Sequence, residues 1–528
     1  MPADDQTDTI AFLSDPSTFG VDKVDRVDTH ISRVFLAGDR AYKLKRAVHF
    51  SYLDFSTAEL RRAACESELR LNRRTAPDIY LCVEAIRRDK DGRIRFGGNG
   101  MPVDHVVVMR RFDESSVLDN IARHGGLTRE LIRDLADTIA AFHESAERDA
   151  FCGSPEWLAG VIQSNDSNLR LAGGQSLDPA AISSLTEASK AEVKRIARLI
   201  EERRQGGKVR RCHGDLHLRN ICLLDRRPTL FDCIEFDPAL ATIDVLYDFS
   251  FLLMDLHHRG FPQWVNLAFN RYFDMTGETA GARLLPLFMS VHAAIRSHVS
   301  LASAPGIAGP GSDEIARDAT AYLAQARTLL VRPAPVLLAI GGASGTGKST
   351  LAYGVAPLTG GPLGARVLRS DVIRKRLAGK SPETRLPPES YTPAASQKVY
   401  EAMIAEAGAL LRAGQAVILD AVLGKADERD AARRLAGECG VPFRPLWLQA
   451  GNDIRRRRVE TRGQDASDAT PAILEAQLRQ IETPIDWPTI DVGEDRESSL
   501  AAAKAFLLPT GTDLGGPSAG NGGAPATR

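Results

Sequence analysis

The feature that most constrains this chain is GGASGTGKST at residues 341–350. It follows the apolar run VLLAI and precedes STLAYGV, so a GxxxxGK[ST] pattern sits between an expected strand and an expected helix. Gly342, Gly345 and Gly347 let the backbone N–H groups turn inward, and the helix N-terminus adds partial positive charge, so the loop suits phosphate. Lys348 is placed to reach the β- and γ-phosphates of a nucleotide and Ser349 to ligate Mg²⁺. Ala343, Ser344, Thr346 and Thr350 complete the candidate ATP contacts.

A chain of 528 residues exceeds one hydrophobic core, so the loop belongs to one of several domains. The clearest internal break is ASAPGIAGPGSD at 302–313, where glycine and proline cluster and periodicity is lost. The expected division is a domain over 1–302, a linker and connecting helix over 303–334, a P-loop domain over 335–508 and a disordered tail over 509–528. The tail has almost nothing to bury. Lys and Arg total 67 against 68 Asp and Glu, which argues against a nucleic-acid or membrane-surface partner held by overall charge. No apolar run is long enough to span a bilayer, and no signal-peptide layout opens the chain, so a cytoplasmic protein is expected. Seven cysteines without a CxxC pair suit a reducing compartment and no zinc site.

The first half carries a second phosphate signal, CHGDLHLRN at 212–220. Asp215 precedes Asn220 by five positions, the separation in HRDxxxxN, and Asp232 comes one expected β-hairpin later. That hairpin, ICLLD and PTLFD, returns Asp232 beside Asn220 and offers two oxygen ligands for Mg²⁺. HGDLHLRN with FDCIEFD and YDFSFLLMDL resembles the aminoglycoside phosphotransferase and choline kinase branch of the protein-kinase-like fold over roughly 25–300. The resemblance implies that Asp215 accepts or orients the acceptor hydroxyl, that Asn220 and Asp232 hold Mg²⁺, and that Asp248 braces the loop. It also implies a strand lysine paired with a helix glutamate. AYKLK offers Lys43 and Lys45 on one sheet face, with spacing favouring Lys43; the glutamate is Glu66 or Glu68, with spacing favouring Glu68. Glu235 and Asp237 stand near enough in sequence to assist a metal but are left unassigned. No GxGxxG appears near the N-terminus, and FDC replaces Asp-Phe-Gly.

In the second half, ARVLRSD ends at Asp371 and QAVILD at Asp420. Strand C-termini border the ligand crevice of a parallel sheet, so both carboxylates are expected near the phosphates. Asp420 looks like an acid acting on Mg²⁺ through water; Asp371, followed by Arg374, looks like the residue that takes the acceptor proton. NDIRRRRVETRG supplies Arg458 and Arg462 at i,i+4 on a helix expected to be capped by Asp453. The region 335–485 resembles the nucleoside-monophosphate-kinase-like P-loop group, gluconate-kinase-like and zeta-toxin-like proteins included, in which such arginines clamp a transferring phosphoryl group.

The fold class expected is thus an α+β two-lobed protein-kinase-like domain followed by an α/β P-loop domain with a parallel sheet. The expected activity is ATP- and Mg²⁺-dependent phosphoryl transfer to hydroxyl groups of small molecules, with two candidate sites. Two other readings stand beside it. One is a nucleotide-regulated binding module with the P-loop half as switch. The other is a nucleic-acid or nucleotide-sugar kinase in the P-loop half, which needs aromatic residues interleaved with the arginines, and these are absent there. Neither the acceptor nor the oligomeric state is written in these motifs.

Overall fold

The computed structural model describes residues 4–50, 53–174, 176–302, 310–461, 466–493 and 495–508. The tail expected over 509–528 and Arg462 lie outside the described residues. The chain divides into two compact units, Met1–Arg332 and Pro333–Arg528.

The first unit opens with a sheet whose described strands run in the order Val24–Asp28, Ser32–Ala37, Arg40–Lys45, Met101–Arg110, Tyr80–Arg88, Ile94–Phe96, every pairing antiparallel. Alternation sends Phe35, Leu44, Val106 and Val108 to one face, where they form a core with Leu13 and Ile86. The other face receives the helix Ala58–Asn72, begun by Thr57, whose side chain accepts from the Leu60 N–H. Cys65 of that helix packs with Ile79, Tyr80 and Val107.

Beyond the sheet the unit is helical. Arg129–Ser145, Pro155–Gly173 and Pro179–Gln205 precede the motif region, and Val245–His258, Pro262–Thr276 and Leu285–Ala302 come after it. Val245–His258 is buried from Val245 to Leu256, so it is a central helix rather than an amphipathic surface one. The helix Pro310–Leu329, assigned by sequence to the linker, packs on Leu285–Ala302 within this unit. Ser290 Oγ and Ser297 Oγ donate to its Ala326 and Ala319 carbonyls at 2.7 and 2.8 Å.

The second unit is a sheet of five described strands in the order Arg366–Arg369, Val417–Asp420, Leu337–Gly341, Phe443–Gln449, Thr489–Asp491, all parallel. Leu337–Gly341 and Val417–Asp420, in the middle of the sheet, are buried throughout and read as largely apolar runs, as strands covered on both faces do. Leu338, Ile340, Val367, Ile418 and Leu446 share one core with Leu351 and Val355 of the helix Lys348–Val355. Among the described residues no helix is long and apolar enough to cross a membrane.

Candidate active sites

In the first unit the catalytic-type loop is suspended from the central helix. Asp248, buried, accepts from the Gly214 N–H at 2.7 Å and the His213 N–H at 3.2 Å, and His143 Nε2 contacts it at 3.0 Å. Asp255, two turns on, accepts from the Leu218 N–H at 3.0 Å. His213 is fully buried against the Phe231 carbonyl at 2.9 Å, a structural role. The backbone so held presents Asp215, whose side chain is 37% exposed. Asn220 Nδ2 donates to Asp215 Oδ2 at 2.8 Å and to its carbonyl at 2.9 Å.

The strands Ile221–Leu224 and Arg227–Leu230 pair antiparallel, and the Phe231 N–H donates to the Asn220 carbonyl at 3.0 Å. The hairpin therefore brings Asp232 back beside Asn220. Asp232 sits at φ +61°, a left-handed conformation rare outside glycine, and its N–H donates to Tyr80 Oη at 3.1 Å. Cys233 N–H, next in line, donates to Asn72 Oδ1 at 2.9 Å. Two helix- and strand-borne side chains thus hold the strained segment, and neither was legible from spacing.

Lys43 Nζ lies 2.7 Å from Glu68 Oε1 and 2.5 Å from Asp232 Oδ1. Glu66 instead faces solvent and pairs with Arg62 at 3.4 Å. Lys45 also reaches Glu68, at 2.5 Å from Oε2, and forms a second ion pair with Glu235. Lys45 and Glu68 have no exposed side-chain surface. Glu235 is paired with Lys45, and the Asp237 side chain caps the short helix Pro238–Ala241. Burial raises the Glu68 carboxyl, but Lys43 and Lys45 outweigh it and hold the group down to about 2. Glu235, with one lysine, is pushed up by burial. Burial likewise opposes ionisation of Asp215, and the neighbouring His217, Arg296 and His213 outweigh it, so Asp215 stays below the usual carboxylate range.

A divalent ion fits this arrangement. Asn220 spends its amide nitrogen on Asp215, which leaves its carbonyl oxygen as a hard donor, and Asp232 keeps 43% of its side chain exposed.

In the second unit residues 344–347 of the loop line a cavity of about 470 Å³ together with Lys348, Ser349, Asp371, Asp420 and Arg458. Gly342, Gly345 and Gly347 take φ of +138°, +83° and +90°. A Cβ on Gly345 would lie 2.7 Å from the Arg455 carbonyl oxygen. Lys348 Nζ donates to the Ala343 carbonyl at 3.0 Å, and Thr346 Oγ1 to the same carbonyl at 2.9 Å. Ser349 Oγ donates to Asp420 Oδ2 at 2.6 Å, and Arg369 Nε lies 3.4 Å from that oxygen. A hydroxyl and a carboxylate in contact at a strand end form an oxygen donor pair that fits Mg²⁺. Burial pushes the Asp420 carboxyl up, against Arg369 and Lys348.

Two sequence expectations change here. Asp371 stands in the first turn of the helix Ser370–Leu377, because the strand ends at Arg369. Asp453 is one residue inside the helix Asn452–Glu460, whose N-cap is Gly451, so it does not cap. That helix ends at Glu460, and Arg462, expected at i,i+4 from Arg458, lies outside the described residues. Arg458 does reach the loop, with Nη1 3.4 Å from the Gly345 carbonyl and Nη2 2.6 Å from the Gly493 carbonyl. Gln477, which spacing did not flag, accepts from the Ser344 N–H at 3.0 Å.

Residues 32–285 match the family described as Phosphotransferase enzyme family, and residues 337–484 match the AAA domain family. The Uncharacterized protein Rv2004c of Mycobacterium tuberculosis (strain ATCC 25618 / H37Rv) is 32% identical over 491 residues, covering 91% of this chain and 94% of its own. The Uncharacterized protein Mb2027c of Mycobacterium bovis (strain ATCC BAA-935 / AF2122/97) is similar to the same extent. Among solved structures, choline kinase from Cryptosporidium parvum Iowa II is 11% identical with a TM-score of 0.38, covering 58% of this chain and 90% of that one. A gluconokinase from Sinorhizobium meliloti 1021 is 21% identical with a TM-score of 0.24, covering 33% of this chain and 93% of that one. The chain belongs to the family of these mycobacterial proteins, and within it joins a region matching the Phosphotransferase enzyme family to a P-loop region matching the AAA domain family.

Proposed function

We propose that the chain is an ATP- and Mg²⁺-dependent phosphotransferase with two separate active sites, each transferring phosphate to a hydroxyl group of a small molecule. The observation that carries this reading is the convergence in the first unit of Lys43, Glu68 and Asp232 on one side and Asp215 with Asn220 on the other.

There, Lys43 steadied by Glu68 binds the donor phosphates. Asp215, ionised and partly exposed, orients the acceptor hydroxyl and receives its proton. In the second unit the loop N–H groups and Lys348 cradle the phosphates, Arg458 steadies the loop, and Asp371 takes the acceptor proton. Asn220 with Asp232, and Ser349 with Asp420, would hold the divalent ion, which when bound neutralises phosphate oxygens.

The test is phosphorylation of a metabolite pool by purified protein with Mg-ATP. Asp215→Ala and Lys348→Ala should each remove a separable part of the turnover, and the double variant all of it. Turnover unchanged in all three, with nucleotide still bound, replaces the enzyme reading with that of a nucleotide-regulated binding module.

A further inference from the structure

Gln477 meets the phosphate loop from a helix that no motif marks. The helix Pro471–Gln480 starts at Thr470, whose side chain accepts from the Ile473 N–H. One turn on, it buries Leu474 against Ala343 of the loop and Val459 of the helix Asn452–Glu460. Gln477 stands three residues after Leu474 and so on the same face. The packing of Leu474 on Ala343 thus carries the Gln477 carboxamide to the next loop residue, where its Oε1 accepts from the Ser344 N–H at 3.0 Å.

That bond decides how the amide is turned. A backbone N–H can be met only by the oxygen, so the nitrogen, with two hydrogens to donate, is the atom left over. Among the described residues that nitrogen makes no hydrogen bond, and Gln477 lines the cavity with Lys348 and Arg458. Its place along the loop follows from a single peptide group. The Ala343 carbonyl receives Lys348 Nζ at 3.0 Å, and the N–H of the same peptide group, that of Ser344, is the one Gln477 holds. The carboxamide therefore stands at the end of the loop where Lys348 works, and a P-loop lysine works on the terminal phosphates. Two N–H donors there, on a group whose oxygen is already engaged, suit an anionic oxygen.

We propose that Gln477 reads the terminal phosphoryl group of the nucleotide at the second site, its amide nitrogen donating to a γ-phosphate oxygen while its oxygen keeps the Ser344 N–H. This rests on the loop being the nucleotide site of the second unit. It makes Gln477 a specificity-determining residue, one that favours a triphosphate over a diphosphate.

The test separates the two bonds of one side chain. Gln477→Glu keeps an oxygen for the Ser344 N–H, so the brace on the loop survives, but it replaces the donor with negative charge; Gln477→Ala removes both. Affinities for a nonhydrolysable ATP analogue and for ADP, each with Mg²⁺, are measured by calorimetry on the full chain, and the second site is the part of the binding that Lys348→Ala removes. For Gln477→Glu the expected result is about a ten-fold or greater loss for the triphosphate, with ADP changed by about two-fold or less and thermal unfolding unchanged. Gln477→Ala should lose the same preference and weaken ADP as well. A triphosphate affinity that survives Gln477→Glu overturns the inference and leaves Gln477 a brace on the loop, as does a loss shared equally by both nucleotides. Absence of any Lys348-dependent binding of either nucleotide defeats the reading of the loop as a nucleotide site, and the inference with it. A Gln477-dependent triphosphate preference without transfer to any acceptor in the metabolite pool supports the inference and defeats phosphotransfer at this site.

Discussion

The residue that repays closest attention is Lys45, the second lysine of one short strand. Without exposed surface, it ties Glu68 to Glu235, while Lys43 ties Glu68 to Asp232. Removing one member of such a buried cluster strands charge in a dry site. Lys45→Met is expected to destabilise the first unit by about 3–5 kcal/mol, and Lys45→Met with Glu235→Gln by less, measured by urea unfolding. The cluster also has a pH signature. Glu68 drops from the ordinary 4.5 to about 2 in the folded chain, so its contribution is full above 4.5 and is lost as pH falls towards 2. The stability gap between the native chain and Glu68→Gln should therefore shrink from pH 6 to pH 3 in the same assay. The sequence displayed Lys43, Lys45 and Glu68 because alternation and motif spacing are local. It did not display Tyr80 or Asn72, which reach the site from other elements through tertiary packing.

At the scale of elements, the phosphate loop is packed against the start of the helix Asn452–Glu460. Gly345 has both a left-handed φ and a backbone carbonyl where its Cβ would be. Gly345→Ala must either strain the loop or push that helix away, at a cost of about 1–3 kcal/mol. The expected readout is roughly a ten-fold or greater loss of nucleotide affinity at one of the two sites, by titration with a fluorescent ATP analogue. Strand and helix types were legible in both units because their apolar periods are strong. The ends were less so: Asp371 and Asp453 each fall one or two residues inside a helix, where hydrogen bonding rather than composition sets the boundary. The loop's partner Gln477 was invisible, being a lone polar residue on a distant helix.

At the scale of the whole molecule, the two sites should respond differently to acid. Asp215 is depressed below the usual carboxylate range, whereas Asp420 is pushed upward from its ordinary value by burial. Each must be ionised for the role proposed, so on acidification the Asp420 site fails first. ATP turnover by Lys348→Ala should accordingly persist to lower pH than turnover by Asp215→Ala. The two-unit order was readable from the motifs, but the place of the helix Pro310–Leu329 was not, since glycine and proline mark a break without saying to which unit the next helix belongs. That helix supplies carbonyls to Ser290 and Ser297, and Gln325 Nε2 donates to the Met254 carbonyl at 3.0 Å. A gene fragment stopping at codon 302 would leave these hydroxyls unanswered and the apolar flank of Leu285–Ala302 wet, and should yield insoluble product. One stopping at codon 332 carries its own lining to the end, so the natural seam for dissecting the chain lies thirty codons further along than the glycines advertise.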